Sequence, residues 1–506
     1  MSDVAAESMQ PGQTFCPQDR RVYVLIATIL ASAMGFIDGS VISIALPAIR
    51  LSLNATLADA QWISNGYMLF MASLILIGGA AGDRFGLRRV FSGGILLFML
   101  ASLACALAPT SLLLILARAV QGVGAAFMVP GSLALIAKAY PRDQRGKAIG
   151  IWATAASLTT ILGPVIGGFV LTALGPWSWR LVFAINLPLG LGALLLLWLR
   201  VPADAPAQGR RLDWFGGVLI TVALLLIALG LTGEDGEGSV PQASQILSYC
   251  GVGVVLVIAF LIWEARNKAP MLPLRLFANR GFSGANALTF ALYFSLAAIS
   301  FYLPMTLIAG WGVSPAEVAI SFLPIGIFLT LLSRVSGGLA DRFGPAPLIA
   351  GGATLVAIAF AGLALTAPLR SLWFAVLPLM SLMGIGMGFV VTPLSTAVMT
   401  TVEDSDTGTA SGVNNAVSRV AGLLAVAIMG GVVSLVFQQV IAGSGGEGLS
   451  FGRPPTAPLS PAVEAARIAA TNAAFSMVAG ITAALALASA VIAWLTLERK
   501  SGTRTP

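Results

Sequence analysis

The octapeptide GAAGDRFG, Gly79 to Gly86, returns nearly unchanged as GGLADRFG, Gly337 to Gly344. The two copies start at positions 79 and 337, an offset of 258 residues. Each copy follows a long apolar run, the second and the tenth of the chain. A repeat in the same position of two halves is typical of a duplicated helical bundle.

The rest of the sequence places such bundles in a lipid bilayer. The 506 residues are 57% hydrophobic and 10% charged, with a mean hydropathy of +0.92, far above the range of soluble domains. Fourteen apolar runs are long enough to cross a hydrocarbon core of roughly 30 Å. We predict membrane helices at 22–49, 57–81, 90–108, 111–139, 147–173, 180–200, 212–232, 246–264, 281–309, 315–336, 346–367, 371–399, 407–440 and 466–497.

The offset of the repeat also locates an insertion. Removing the seventh and eighth runs with their flanks leaves about 200 residues, or six helices, in each half. The sequence therefore predicts an all-α polytopic membrane protein with a 6 + 2 + 6 arrangement of helices. Its predicted parts are a tail at 1–20, a six-helix bundle at 21–200, two inserted helices at 201–268, a second six-helix bundle at 269–498 and a tail at 499–506.

The basic residues predict the orientation of these helices, because loops rich in Lys and Arg stay in the cytoplasm. With both termini cytoplasmic, twenty of the 28 basic residues lie inside, three lie within runs and five lie outside. The five are Arg50, Arg180, Arg370, Arg453 and Arg467. We therefore expect a multi-pass protein of the cytoplasmic membrane, whose pI near 9.7 reflects topology and not nucleic-acid binding.

Other sequence signals exclude several classes of site. The chain has no His, and the spacing of its three Cys residues fits no metal site. No catalytic constellation appears, so we expect neither an enzyme nor a cofactor. Residues 1–20 contain no apolar stretch, and the first helix is expected to act as an uncleaved insertion signal.

Asp38, in the stretch GFIDGSVISIALP, is the only acid that we place deep inside an apolar run, since Asp213, Glu264 and Glu317 fall at the ends of runs. A carboxylate at this depth needs a water-filled cavity or a partner. Asp38 could therefore gain and lose a proton under physiological conditions. The alternative is a structural Asp that is hydrogen-bonded to a neighbouring helix.

Arg118, with Gln121 one turn further on, is the second deep charge, and it too needs a partner. We predict that Arg118 and Gln121 belong to the site of Asp38, where Arg118 would modulate the protonation of the carboxyl group. A structural role, in which Arg118 binds backbone carbonyls across helices, stays open.

The repeated loop suggests a conformational switch. Gly79 and Gly82 would allow helices to approach closely, and Asp83 would face the positive end of a neighbouring helix. The other residues that we assign to the switch are Arg84, Gly86, Arg88 and Arg89 in the first copy and Asp341 and Arg342 in the second. The second copy reads PAP where the first reads LRR, so the switch should be asymmetric. The alternative reading is a topogenic Arg cluster with glycine packing.

The fifth run contains LGPVIGG, Leu162 to Gly168. Pro164 removes a backbone hydrogen bond, and Gly163, Gly167 and Gly168 leave a flat face, so this helix could kink and pack tightly. Candidates for a substrate cavity are Trp62, Tyr67, Asn415 and Arg419, each of which could instead serve only packing or an interhelical hydrogen bond.

These motifs resemble those of the major facilitator superfamily. GAAGDRFGLRR resembles its loop motif between helices two and three, RAVQGVGAA from Arg118 its fourth-helix motif, and LGPVIGG its antiporter motif. IDGSVISIALPAI from Ile37 and WRLVFAINLPLG from Trp179 are similar to the fourteen-helix drug:proton antiporter branch, the QacA/EmrB-like exporters. The resemblance implies a proton-carrying acid at Asp38, participation of Arg118 in proton transfer, and a loop motif that holds the halves together in the outward-facing state.

The expected function is therefore proton-coupled export of hydrophobic or amphiphilic compounds by alternating access. An exporter of one metabolite, siderophore or antibiotic is the alternative, and a membrane sensor without transport is a remote one. We expect a small-molecule substrate, protons, the lipid bilayer and a functional monomer; a periplasmic adaptor is possible but not indicated. The segment 441–466 could gate an outer vestibule or be an idle loop.

Overall fold

The computed structural model describes residues 14–205, 212–232, 243–403, 406–446, 448–455 and 457–498. These residues form no strand, and fourteen of their helices are long and apolar enough to cross a membrane. The helices are α1 (Arg21–Leu53), α2 (Leu57–Phe85), α3 (Leu87–Leu107), α4 (Ser111–Ala139), α5 (Arg142–Leu174), α6 (Pro176–Arg200), α7 (Trp214–Leu231), α8 (Ala243–Arg266), α9 (Arg280–Gly310), α10 (Pro315–Phe343), α11 (Pro345–Leu369), α12 (Leu372–Thr400), α13 (Thr407–Ile441) and α14 (Pro461–Thr496).

The fourteen helices confirm the predicted fold class, and the ends of α2 and α10 confirm the internal repeat. Thr56 and Asp59 form a capping box at the start of α2, and Ser314 and Glu317 form the same box at the start of α10. At the other end, Gly86 and Gly344 terminate the two helices with positive φ angles of 94° and 83°. Every one of these pairs keeps the offset of 258 residues.

Because the helix count is even, α1 begins and α14 ends on the same face of the molecule, which we call the terminal face. The other face is called the opposite face. The predicted end of the first helix was four residues short, since α1 continues to Leu53 and contains Arg50 as a buried side chain. Arg467 likewise lies buried within α14 and donates to the carbonyls of Ala309 and Gly310 at 2.8 and 3.2 Å. Both arginines lie near the opposite face, Arg50 inside a helix that we expected to end at residue 49 and Arg467 inside the predicted span 466–497.

Helices α1–α6 pack into one bundle and α9–α14 into a second. Within the first bundle α4 packs against α2 and α3, and α1 packs against α5. The most extensive contacts between the bundles are those of α2 with α13 and of α5 with α10, and α1 also contacts α9 and α10. Asp38 in α1 and Arg118 in α4, the residues predicted to form a site, therefore lie in the first bundle, next to helices that also contact the second.

The inserted helices α7 and α8 pack against each other, and α7 also contacts α2 and α13 along the seam between the bundles. At their base, Asp213 accepts hydrogen bonds from the Gly216 amide, Trp263 Nε1 and Asn267 Nδ2, at 2.9, 3.0 and 2.7 Å. Glu264 is 2% exposed and accepts from the amide of Leu272 at 2.8 Å. Asp38 is thus not the only buried acid within a helix, because Glu264, expected at the end of a run, is buried as well.

Candidate functional site

The three polar residues predicted in α1 and α4 meet in the interior of the first bundle. Asp38 Oδ2 accepts a hydrogen bond from Arg118 Nη1 at 2.5 Å, and Asp38 Oδ1 accepts one from Gln121 Nε2 at 3.0 Å. Asp38 and Arg118 are each 1% exposed. Since both carboxyl oxygens act as acceptors, this is the arrangement of an ionised Asp38 paired with a guanidinium.

Arg118 has partners besides Asp38. Its Nε donates to the carbonyl of Ile63 in α2 at 3.0 Å, and its Nη1 donates to Gln121 Oε1 at 2.7 Å. The guanidinium carbon lies 4.4 Å from the centroid of the Tyr67 ring, a cation–π geometry. If Asp38 took up a proton, the guanidinium of Arg118 would therefore keep its other contacts.

A second layer of polar groups fixes Gln121. Gln121 Nε2 also donates to Ser102 Oγ at 2.8 Å, and Asn186 Nδ2 donates to the same oxygen at 3.2 Å. Ser102 lies in α3 and Asn186 in α6, so helices of the whole bundle support the Asp38 pair. The sequence analysis did not find Ser102 or Asn186, because a lone Ser or Asn in an apolar run gives no signal of its partner.

The glycine face of α5 lies against the turn of α1 that carries Asp38. A Cβ atom on Gly163 would come 2.9 Å from Ser40 Oγ and 3.3 Å from the Ile37 Cα, and one on Gly167 would overlap the Val41 side chain. The helix runs without interruption from Arg142 to Leu174 with Pro164 inside it. The two glycines thus permit the close approach that holds α1 in place.

Gly168 serves a different contact. A Cβ atom there would lie 2.6 Å from the carbonyl oxygen of Pro315 and 2.7 Å from the Ala319 Cβ, both in α10 of the second bundle. The LGPVIGG stretch therefore contacts the α1 turn that carries Asp38 on one face and α10 of the second bundle on another.

The repeated loop lies on the terminal face. The guanidinium of Arg84 lies 5.3 Å from the Phe85 ring, and that of Arg342 lies 5.1 Å from the Phe343 ring, so both copies place an exposed Arg over the following Phe. Arg89 and Asp341 are also exposed, whereas Asp83 is partly buried.

One glycine of this motif does not have the predicted packing role. A Cβ on Gly79 would meet Pro130 at an ordinary 3.8 Å, and one on Gly82 would come 2.7 Å from the tip of the Leu87 side chain. The close approach of α2 to α4 instead requires Gly78, where a Cβ would overlap the backbone of Ala126. The prediction for Gly79 was wrong by one residue, because the glycine pattern alone does not fix which face of α2 meets α4.

Asp204, after the end of α6, is an acid that the sequence analysis missed. Its carboxylate accepts from the amides of Leu87 and Arg88, each at 2.9 Å, and from Lys138 Nζ at 2.7 Å. Burial alone would raise the pKa of Asp204, but the hydrogen bonds from Lys138 and from these two amides hold it below its ordinary value. Asp204 thereby binds the start of α3, directly after Gly86, to the end of α4.

Of the residues expected to line a substrate cavity, Trp62 lies apart from the others. Tyr67 is buried beside Arg118, while Trp62 packs in an apolar cluster with Leu224 and Leu423 at the inserted helix α7. Asn415 is exposed and Arg419 partly exposed on α13. The structure therefore does not bring Trp62 into the site with Tyr67.

Several hydrogen bonds connect the bundles at the opposite face. Arg50 Nη1 donates to the carbonyl of Phe451 at 2.5 Å and Nη2 to Ser450 Oγ at 3.2 Å. Gln61 Nε2 and the hydroxyl of Tyr302 both donate to the carbonyl of Val426, at 2.6 and 2.7 Å. The opposite face is therefore closed, with residues 450 and 451 packed against α1.

The described part of the chain contains no group of three or more His, Cys, Asp or Glu side chains arranged to hold a metal ion.

Known proteins are similar to this chain in both sequence and fold. Residues 28–426 match the model of the Major Facilitator Superfamily. A multidrug resistance protein B homolog of Mycobacterium tuberculosis is 31% identical over 81% of this chain and 76% of its own. The methylenomycin A resistance protein of Streptomyces coelicolor is 32% identical over 80% and 85%, and the tetracenomycin C resistance and export protein of Streptomyces glaucescens 31% over 80% and 75%.

Solved structures give the same architecture at lower identity. A bacterial homolog of the human lysosomal transporter Spinster, in an inward-facing and unoccupied conformation, superposes with a TM-score of 0.67 at 19% identity, over 96% of this chain and all of that one. A D-xylose-proton symporter superposes with a TM-score of 0.62 at 16% identity, over the same shares of the two chains. The chain belongs to the Major Facilitator Superfamily and is a multi-pass membrane transporter, not an enzyme.

Proposed function

We propose that this transporter exports hydrophobic or amphiphilic drugs and toxic compounds in exchange for protons, by alternating access. Asp38 is the proton carrier, Arg118 sets its protonation, and no cofactor is required. The terminal face is cytoplasmic, the membrane is the cytoplasmic membrane, and the protein works as a monomer.

The observation that carries this proposal is the buried pair of Asp38 and Arg118, tied to Gln121. Breaking a buried ion pair is unfavourable unless the partner left behind finds other contacts. Arg118 has these contacts already in the Ile63 carbonyl, the Gln121 side chain and the Tyr67 ring. The site can therefore exchange a proton at Asp38 without leaving a bare buried cation.

The position of the pair links protonation to movement. Asp38 lies one turn from Ser40 and Val41, which touch Gly163 and Gly167 of α5, and Gly168 of the same helix touches α10. A shift of the α1 turn on protonation would move α5 against the second bundle. The repeated loop with Arg84 and Arg88 lies at the terminal face and would re-pair as that face closes.

The relatives named for drug resistance and export support the direction of transport. Two of the relatives are named after one compound each, methylenomycin A and tetracenomycin C. That observation favours the second candidate, export of one antibiotic or related metabolite on the same fold. A resistance panel in cells that lack other pumps separates the two: protection against several unrelated compounds supports the broad exporter, and protection against one supports the specific exporter.

Proton coupling is tested with the full chain in proteoliposomes that carry a pH gradient and contain a pH-sensitive dye. Asp38→Asn should abolish gradient-driven substrate accumulation and substrate-induced proton flux while keeping substrate exchange in the absence of a gradient. Asp38→Glu, which keeps a carboxyl group, is the matched control and should retain part of the coupling. Gradient-driven accumulation by Asp38→Asn at the rate of the unmodified protein would show that Asp38 is not the carrier.

A further inference from the structure

Arg419 is a further charged residue within a membrane helix, and it lacks the partner that Asp38 gives to Arg118. Its Nε atom is buried without a hydrogen bond, and among the described residues no carboxylate forms an ion pair with its guanidinium. A guanidinium in such a position is costly unless an anion joins it. The side chain thus offers a charge that a bound molecule can neutralise.

The helical phase of α13 places Arg419 at the gap between the bundles. Gly412 and Gly430 lie on the side of α13 that meets α2, where their nearest neighbours are Leu76 and Gln61. Asn414 and Gly422 lie on the side that meets α9, through Thr289 and Ala297. Arg419 and Asn415 project between these two sides, since residues four apart share a helix face.

Two tyrosines mark the walls of this gap. Arg419 lies close enough to the phenol groups of Tyr67 in α2 and Tyr293 in α9 to interact with both electrostatically. Tyr67 in turn covers Arg118 with its ring, 4.4 Å from the guanidinium carbon. Tyr67 thus interacts with both arginines, because its ring covers Arg118 and its phenol group lies within electrostatic range of Arg419.

The charge balance of the gap follows from these contacts. Asp38 is already neutralised by Arg118, and the opposite face is closed by the contacts of Arg50 and Gln61. The side chain of Asn415, about one turn nearer the terminal face, is exposed, so neighbouring helices do not cover this part of α13. A molecule entering there meets a net positive charge.

We propose that Arg419 binds an anionic group, a carboxylate or a similar oxyanion, on the aromatic or amphiphilic compound that the transporter exports. The compound accepts hydrogen bonds from Arg419 in the planar geometry that a guanidinium offers to a carboxylate. It does not compete with the proton for Asp38, because both oxygens of that carboxylate are already bound by Arg118 and Gln121. This inference rests on the export function proposed above and specifies its substrate class.

Binding to the purified full-length protein in detergent, without any gradient, tests this inference separately from transport. The probes are pyrenebutyrate, methyl pyrenebutyrate and pyrenebutyl-trimethylammonium, which share one aromatic group and differ in charge. We expect the Kd of the carboxylate to be at least about tenfold lower than that of the ester or the cation. Equal Kd values for the three probes, tighter binding of the cation, or no binding of the carboxylate would overturn the assignment.

Variants locate the charge that selects the probe. Arg419→Gln should raise the Kd of the carboxylate to that of the ester and leave the Kd of the ester unchanged, while Arg419→Lys keeps part of the preference. Arg370→Gln, an exposed arginine on the opposite face, is the control for net charge and should change neither value. If Arg419→Gln weakens the ester as much as the carboxylate, Arg419 has only a structural role. Charge-selective binding that survives when proton-driven transport fails would contradict the export proposal and not this one.

Discussion

Asp38 and Arg118 show how a single bundle can keep two charges where neither is stable alone. The carboxylate uses both oxygens, and the guanidinium adds a backbone carbonyl and an aromatic ring to its contacts. Removing one partner of a buried pair generally costs about 3–5 kcal/mol, because the other charge stays behind. Arg118 is the member that keeps other contacts when the pair is broken, which is why the proposal assigns the change of charge to Asp38.

Asp204 gives a prediction at the same scale. Its hydrogen bonds hold the pKa of its carboxyl group below the ordinary value of 3.8, so folding favours the ionised form. That stabilisation is fully present above the unfolded pKa and is lost as the pH falls through the folded pKa. We expect Asp204→Asn to lower the free energy of unfolding by about 1.5–3 kcal/mol near neutral pH, the range for hydrogen bonds to charged groups.

The midpoint of thermal unfolding, followed by tryptophan fluorescence in detergent, measures this effect. The difference between the unmodified protein and Asp204→Asn should be constant from about pH 8 to about pH 5 and should narrow below about pH 4. Asp143→Asn removes an exposed acid from the same face and serves as the control. A difference that does not change with pH would show that Asp204 acts through its shape and not its charge.

The residues that sequence alone identified are those whose chemistry conflicts with their surroundings. Asp38 and Arg118 stand out because charges are rare in apolar runs, and two such charges in one bundle are expected to meet. Asp204 gives no such signal, because it follows α6 in a polar segment and its local sequence does not show that it binds the start of α3. Glu264 does lie at the end of its helix, two residues before Arg266, but its burial was not predicted, because contact with a neighbouring helix is not visible in one helix alone.

At the scale of elements, the same contrast appears in the helices. Their number, order and approximate ends follow from hydropathy, since each must span about 30 Å of hydrocarbon. The face that each helix presents does not follow, as the shift from Gly79 to Gly78 shows. Where a motif contains glycines on more than one face, as in α5, the structure assigns one face to α1 and another to α10.

The face of α5 that meets α10 predicts the behaviour of a substituted Gly168. A side chain there would overlap the Pro315 carbonyl and Ala319 in the present state, close to the hydrogen bond from the Ala316 amide to Thr172 Oγ1 at 3.0 Å. Overpacking of this kind costs about 1–3 kcal/mol. Gly168→Leu should therefore shift the equilibrium about tenfold or more toward a state that is open at the opposite face.

A cysteine at position 426 reports that opening. Val426 is buried, and its carbonyl accepts the hydrogen bonds of Gln61 and Tyr302. In a background without the three native cysteines, Val426→Cys should react about tenfold faster with a membrane-impermeant maleimide when Gly168→Leu is present. Gly150→Leu, on the same helix with no atom near its added Cβ, should not change the rate. Equal rates in the two variants would mean that the α5–α10 contact does not control the opening.

At the scale of the whole molecule, the structure consists of two bundles whose contacts close the opposite face. The closing contacts come from both bundles and from the segment between α13 and α14, where Phe451 packs against Tyr302 and Phe437 with ring centroids 6.2 and 6.3 Å away. Residues 450 and 451 of the segment 441–466 are therefore part of the closure and do not belong to an idle loop.

Arg50 is the residue on which this closure depends most. Its guanidinium donates to the carbonyl of Phe451, to Ser450 Oγ and to the carbonyl of Ala55, and its side chain is fully buried. Arg50→Gln is too short to keep all three bonds and leaves buried carbonyl groups unpaired, at about 1–3 kcal/mol each. We expect it to weaken the closed state, so that labelling of Val426→Cys from the opposite face becomes about tenfold faster.

Arg370→Gln removes the same charge from the same face without touching residues 450 or 451, and its labelling rate should match that of the unmodified background. If Arg50→Gln lowers the unfolding midpoint but leaves labelling unchanged, Arg50 stabilises the fold without controlling access, and the closure must be assigned to Gln61 and Tyr302 instead.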